Sequence, residues 1–289
     1  MEDILCEARE FCAWKLAHGV KPSSMSTRFG QLKSCIRLLH GAGRPWRADA
    51  VREEDVYWLK DHLEVKESTA RYYVNALAQL IRWKAGRDLV GGMAIMWNRP
   101  QFRRCYITTE QMHAMLQETD PTTGLFIILG SHMGLRMSEI LGLRLSDIHG
   151  WTMTVRGKGH GVQGKVREQP MGPTARAAVS RYIAEFRGEA GDDRLLVFRY
   201  RGRELSRSGD RRRIGARIRN LGRRMGFEVT THSFRRLYAM TLYYQVGADI
   251  KIVQTLMGHA DAGTTMAYYV AADPDKVAEA VGKLDEALT

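Results

Sequence analysis

Apolar residues in the first ninety positions recur at the spacing of helix faces. Over residues 2–18, Ile4, Leu5, Phe11, Cys12 and Leu16 fall close to a helical period, and the run stops at His18-Gly19. Pro22-Ser23-Ser24 opens a second segment through Phe29, Leu32, Ile36 and Leu39, which Gly41-Ala42-Gly43 ends. Ala48 to Leu63 supplies a third, through Val51, Val56 and Leu59. Ser68 is the expected N-cap of a fourth, which runs through Tyr72, Ala76, Leu77, Leu80 and Ile81 to Gly86. Four short helices without a strand signal predict a compact helical domain over residues 1–90. Residues 91–106, with Gly91-Gly92, Asn98-Arg99-Pro100 and Arg103-Arg104, read as a basic linker.

A second domain is expected over 107–289. It opens on a cap pattern at Thr109-Glu110-Gln111 and continues helically through Met112, Met115, Leu116 and the apolar run Leu125 to Leu129. The period then changes. Trp151 to Val155 alternates, a Gly-rich stretch runs from Gly157 to Gly164, and Val166 to Met171 follows, which predicts a β-hairpin or three-stranded meander with a long basic turn. Helical patterning resumes near Thr174 and dominates to the end. The fold class is therefore mainly α with a small β-hairpin or three-stranded sheet.

Composition adds a partner class. Of 289 residues, 44% are hydrophobic and 26% charged, as expected of a chain with a buried core. The 44 Lys and Arg against 32 Asp and Glu leave a net charge of +12, which favours a polyanion, because neutralised phosphates release condensed counterions. Much of that charge lies in 199–224, including Arg211-Arg212-Arg213 and Arg223-Arg224, as either a solvated helix face or a phosphate-contacting surface. Cys6, Cys12, Cys35 and Cys105 form no C-x-x-C pair and read as small buried apolar groups in a reducing compartment. No apolar stretch approaches membrane-spanning length, and the acidic start MEDILCEARE does not resemble a signal peptide. A soluble, cytoplasmic, nucleoid-associated protein is expected.

Several segments of the second domain carry candidate chemistry, and each alone has an ordinary structural explanation. Arg136 and Glu139 can pair at i, i+3 on a helix; Lys158, in Gly157-Lys158-Gly159, can be a solvated turn. His232 and Arg235 share a helix face. His259 follows Gly258, and Tyr268, with Tyr269 beside it, follows nine residues later. Together these groups supply every role of a metal-free phosphoryl transfer. Guanidinium forks hold the non-bridging oxygens, a lysine or histidine protonates the departing sugar oxygen, and the phenolic oxygen attacks phosphorus.

In this order the segments resemble the tyrosine recombinases, or phage-type integrases, including the simple Xer-like subclass. The first arginine block stands as Gly134-Leu135-Arg136-Met137-Ser138-Glu139-Ile140 and the hairpin lysine as Lys158. The H-x-L-R box stands as His232-Ser233-Phe234-Arg235, and the L-G-H box as Leu256-Met257-Gly258-His259, with Tyr268 at the nucleophile's place. The resemblance covers nearly the whole chain. It implies a SAM-like core-binding domain ahead of a catalytic domain, and site-specific cutting and rejoining of double-stranded DNA through a 3′-phosphotyrosyl intermediate. It also implies no metal or nucleotide cofactor, and a homo-oligomer, a tetramer on two DNA sites. By the same resemblance Arg136, Arg235 and His259 hold the scissile phosphate, Lys158 is the general acid, His232 assists the proton transfers, and Glu139 supports the site from behind.

Three departures stand out. Arg236 follows Arg235 where the family more often has His. The turn is longer than the usual G-K-G-x-K-x-R form, so Lys165 competes with Lys158. Tyr269 adjoins Tyr268, and on a helix only one of the two can face the arginines. A final helix from Asp273-Pro274-Asp275 through Leu288 is expected to dock at home or on a neighbouring protomer. Rival readings are a type IB topoisomerase, a non-catalytic DNA-binding protein on the same scaffold, and a basic helical RNA-binding protein, which no RNA-recognition signature supports.

Overall fold

The computed structural model describes residues 3–89, 91, 106–157, 166–204 and 207–258, in two compact units. The linker residues 92–105, the turn holding Lys158 and Lys165, and everything from His259 onward, including Tyr268, Tyr269 and the expected final helix, lie outside the described residues.

The first unit comprises α1 (Cys6–Ala17), α2 (Pro22–Gly41), α3 (Glu53–His62) and α4 (Glu67–Ala85). Phe11, Leu32, Ile36, Leu39, Leu59, Leu77, Leu80 and Ile81 are wholly buried in a single apolar cluster. The third helix begins five residues later than the pattern suggests. Ala48 and Val51 are buried, but they sit in the loop before α3, because side chains satisfy that loop's backbone. The Ala48 N–H donates to Glu7 at 2.9 Å, and Arg87 donates to the carbonyls of Ala48, Asp49 and Val51. The N-cap of α4 is Lys66, and Ser68 lies inside the first turn. Cys12 and Cys35 are buried as expected, whereas Cys6 is exposed and donates to Glu10.

The second unit is built around α6 (Pro121–His132), whose Leu125, Phe126, Ile127 and Leu129 are all buried. Such a helix, apolar on every side, belongs in a core. Asp120 caps it by accepting from the Thr123 N–H at 3.1 Å. Before it comes α5 (Thr109–Gln117), capped one residue earlier than expected by Thr108, whose hydroxyl accepts from Gln111 while the Gln111 side chain accepts from Thr108. After it come a single turn, α7 (Met137–Ile140), and an antiparallel sheet in the order β1 (Ile148–His149), β2 (Thr152–Arg156), β3 (Val166–Pro170). Of the two expected forms the sheet is the meander, with three strands among the described residues. Val155 pairs with Arg167 and Met153 with Gln169. α8 (Pro173–Arg181) runs on into a π-helical turn. A ribbon of β4 (Arg199–Tyr200) and β5 (Arg203–Glu204) then leads to α9 (Arg207–Arg224), α10 (Thr231–Met240) and α11 (Ile250–Met257). α10 packs along α6, and Gly134, just beyond α6, lies against Tyr238 and Arg235 of α10.

Candidate active site

The chain leaves α6 and reverses at Gly134, whose φ of +62° suits glycine. Space demands glycine as well, since a Cβ there would lie 2.4 Å from the Tyr238 ring. Leu135 is buried as an anchor, and Arg136 becomes the N-cap of α7. The Glu139 carboxylate folds back to accept the Arg136 backbone N–H at 2.9 Å and its guanidinium at 2.7 Å. The i, i+3 pairing read from the sequence is thus present, and it fixes the arginine where the chain turns.

Arg235 comes from α10, which starts at Thr230 with the Ser233 hydroxyl accepting the Thr230 N–H at 3.1 Å. Ser233 and Phe234 are buried beside it, and Arg235 itself is only 2% exposed. A buried guanidinium needs acceptors. It donates to the carbonyls of Gly134 and Met257, and it lies 3.8 Å from Glu139. His232 stands exposed in the first turn of the same helix, one turn ahead of Arg235.

α11 contributes its C-terminal end. The last carbonyls of a helix lack partners within it and carry the negative end of its dipole, so cations gather there. Met257 O accepts from Arg235, and Gly258 O accepts from Arg136 at 3.4 Å. Gly258 caps the helix at φ +61°, and Arg167 is packed against it so closely that a Cβ would meet the guanidinium at 3.0 Å. His259 is the next residue in sequence.

Among the described residues three guanidiniums therefore surround one buried carboxylate, two positive charges in excess. Burial pushes the Glu139 carboxyl up, but hydrogen bonds from Arg167 and the Arg136 backbone, with the charges of both arginines, outweigh it and hold the group below its ordinary value. Guanidinium forks of this kind offer paired N–H donors suited to an anion. Among the described residues no His, Cys, Asp and Glu side chains are grouped to hold a metal ion.

A model of the phage integrase family matches residues 106–275, more than half of the chain. The chain belongs to that family. Among curated relatives, the tyrosine recombinase XerD of Halalkalibacterium halodurans is 37% identical over 139 residues, covering 47% of this chain and 44% of that protein. The tyrosine recombinase XerC of Pseudomonas aeruginosa PAO1 is 38% identical over 141 residues, covering 47% of this chain and 43% of that protein. The chain thus matches less than half the length of these relatives. Among solved structures, the Tn1549 transposon integrase in complex with transposon right end DNA gives a TM-score of 0.70 at 18% identity, covering 96% of this chain and 99% of that one. A lambda integrase dimer bound to a core site gives 0.71 at 18% identity, covering 92% and 77%. At such identities the likeness is one of fold.

Within this integrase fold, Arg136, Glu139 and Arg235 come together, and His232 shares a helix with Arg235. Lys158, His259 and Tyr268 lie outside the described residues. Arg167 is the member that sequence reasoning missed. It donates from both terminal nitrogens to Glu139, at 3.1 Å each, and from Nε to Gln169 at 3.2 Å. A signal for it existed. In β3, Val166, Glu168 and Pro170 are exposed while Arg167 and Gln169 alternate inward, and two polar residues on an inner strand face call for buried partners.

Proposed function

We propose that the chain is a site-specific DNA recombinase that cuts and rejoins strands through a covalent phosphotyrosyl ester. The observation that carries this reading is the excess of positive charge around Glu139, held at the end of α11 one residue before His259. In the proposed reaction the Tyr268 oxygen attacks the scissile phosphorus and the bond to the 5′-oxygen breaks. Lys158 supplies the proton that leaves with that oxygen. Arg136, Arg235 and His259 hold the non-bridging oxygens as their charge grows, and His232 assists the proton transfers. The free 5′-hydroxyl of a partner strand then attacks the ester and restores Tyr268. Bond energy is kept in the ester, so neither metal nor ATP is required.

Double-stranded DNA is the proposed substrate. On α9, Arg212, Arg219 and Arg223 are exposed and recur on one helical face, with Arg219 and Arg223 lining a groove of about 460 Å³ beside the start of α10. A stripe of guanidiniums at that place suits a phosphate backbone leading to the site. The first unit serves in this reading as the core-binding domain, residues 91–106 as the linker, and residues 107–289 as the catalytic domain. Tetramer assembly on two sites, with the C-terminal segment docking on a neighbouring protomer, completes it.

The test is covalent capture of a nicked suicide duplex whose sequence is found by sequencing trapped adducts. Tyr268→Phe abolishes the adduct and Tyr269→Phe preserves it; the reverse pattern reassigns the nucleophile. Arg136→Ala leaves duplex binding largely intact while cleavage falls by about 100-fold. Strand exchange between two sites distinguishes this reading from a topoisomerase, which would relax supercoils without exchange.

A further inference from the structure

Glu139 has two carboxylate oxygens with about four lone-pair directions between them. Four donors meet them. Oε1 accepts from Arg136 Nη1 at 2.7 Å and Arg167 Nη1 at 3.1 Å, and Oε2 accepts from the Arg136 backbone N–H at 2.9 Å and Arg167 Nη2 at 3.1 Å. The carboxylate is saturated, and Arg235, at 3.8 Å, is left as a charge neighbour outside hydrogen-bonding distance. Both groups are almost completely buried, so water cannot screen one from the other.

We propose that Arg167 is a positioning residue for the phosphate-binding arginines, acting by occupying Glu139. The inference rests on the recombinase reading and deepens it. Without Arg167, two lone pairs of a buried carboxylate open toward the nearest cations, Arg136 and Arg235. A guanidinium that turns its remaining N–H groups onto Glu139 has its charge offset there and no longer presents those donors to a phosphate. With Arg167 in place the carboxylate orients Arg136 and still leaves two positive charges in excess. The donor is itself aimed. Its Nε is fixed by Gln169, and Gln169 Nε2 donates to the Met133 carbonyl at 3.2 Å, so β3 is tied to the turn that carries Arg136. Arg167 touches neither substrate nor reacting atoms in this scheme; it acts through Glu139.

The experiment compares wild type, Arg167→Met, Glu139→Gln and the double variant R167M/E139Q on the suicide duplex, reading dissociation constant and single-turnover cleavage rate separately. Arg167→Met is expected to bind duplex within about threefold of wild type and to cleave about 100-fold more slowly at saturating DNA. The double variant, lacking the competing carboxylate, is expected to recover at least tenfold of that loss, a rescue that a merely structural role would not produce. Wild-type cleavage by Arg167→Met, or a double variant no faster than the single one, overturns the proposal while the recombinase reading stands. A wild-type chain that binds duplex but forms no adduct overturns both. If Arg167→Met fails to fold, Arg167→Lys takes its place. It keeps the charge but cannot bridge both oxygens, so it should cleave about tenfold more slowly than wild type and recover with Glu139→Gln; no such recovery overturns the proposal.

Discussion

The two units bury charge in different ways. Among α1–α4, Glu7 and Asp55 are buried, and each serves a backbone N–H: Glu7 accepts that of Ala48, 41 positions away, and Asp55 accepts that of Arg52 at 2.9 Å and also pairs with a half-exposed Arg44. In the second unit Asp147 is held in the same way, by the Arg144 N–H and a half-exposed Arg156, but other buried charges meet one another. Glu139 is surrounded by Arg136, Arg167 and Arg235, while Arg194 bridges Asp192, Glu204 and Asp210 at the entry to α9. The first pattern satisfies backbone N–H groups around an apolar core with single carboxylates. The cluster around Glu139 joins residues more than 100 positions apart and, among the described residues, carries more positive than negative charge.

The sharpest way to break this contrast is to remove one charge from each unit. Arg235→Ala leaves two buried carbonyls without their donor and takes a cation from Glu139, so a loss of about 3–5 kcal/mol is expected in denaturant unfolding. Asp55→Ala removes a cap and a half-exposed ion pair, for about 1 kcal/mol. Equal losses would mean that the cluster around Glu139 is no more demanding than a helix cap. Two glycines give the next largest difference. Gly86 and Gly134 have φ of +66° and +62°, but a Cβ on Gly86 meets open space whereas one on Gly134 meets Tyr238 at 2.4 Å. Alanine at Gly86 should cost about 1 kcal/mol and at Gly134 roughly 3 kcal/mol; matching values would show that Tyr238 yields freely.

Acid separates the units in a third way. The Glu139 carboxyl is held low in the folded protein, so its contribution is present above the unfolded carboxyl value of about 4.3 and is lost as pH falls through the folded value. The deficit of Glu139→Gln, about 2 kcal/mol at pH 7, should therefore shrink below about pH 4; a deficit constant with pH would exclude an ionic origin. In the first unit Glu10 is also held low, by a hydrogen bond from Lys84 at 2.8 Å, but in open solvent. Screened by solvent, that pair should give Glu10→Gln a far smaller change in the acid limb of the stability curve than Glu139→Gln. The smallest effect is expected at Trp151, exposed at the turn before β2 with the Arg176 guanidinium over its ring. Trp151→Ala should cost about 0.5 kcal/mol by thermal melting.

Much of this was legible along the chain. Helix faces such as Leu32, Ile36 and Leu39 repeat at helical spacing, and that spacing alone places them inward. The Arg136–Glu139 pair spans three residues, so its geometry is local. Arg167 was not legible as a partner of Glu139, because 28 residues separate them. The start of α3 departs from the apolar pattern for a similar reason: Ala48 and Val51 are as apolar as helix positions, but Glu7 and Arg87 satisfy the backbone around them from far along the chain.

The sequence by itself determined that the chain has a helical first unit, a mainly helical second unit with a small sheet, and an integrase-type order of arginine, histidine and tyrosine motifs. Those features depend on period and spacing, which are properties of the chain. Only the tertiary structure decided that the end of α11 caps two arginines, that a third arginine fills the remaining lone pairs of Glu139, and that Arg235 is left beside the carboxylate without a hydrogen bond to it. The physical reason is that a buried charge takes its partners from whichever elements packing brings within about 3 Å. Which elements those are depends on the fold of the whole unit.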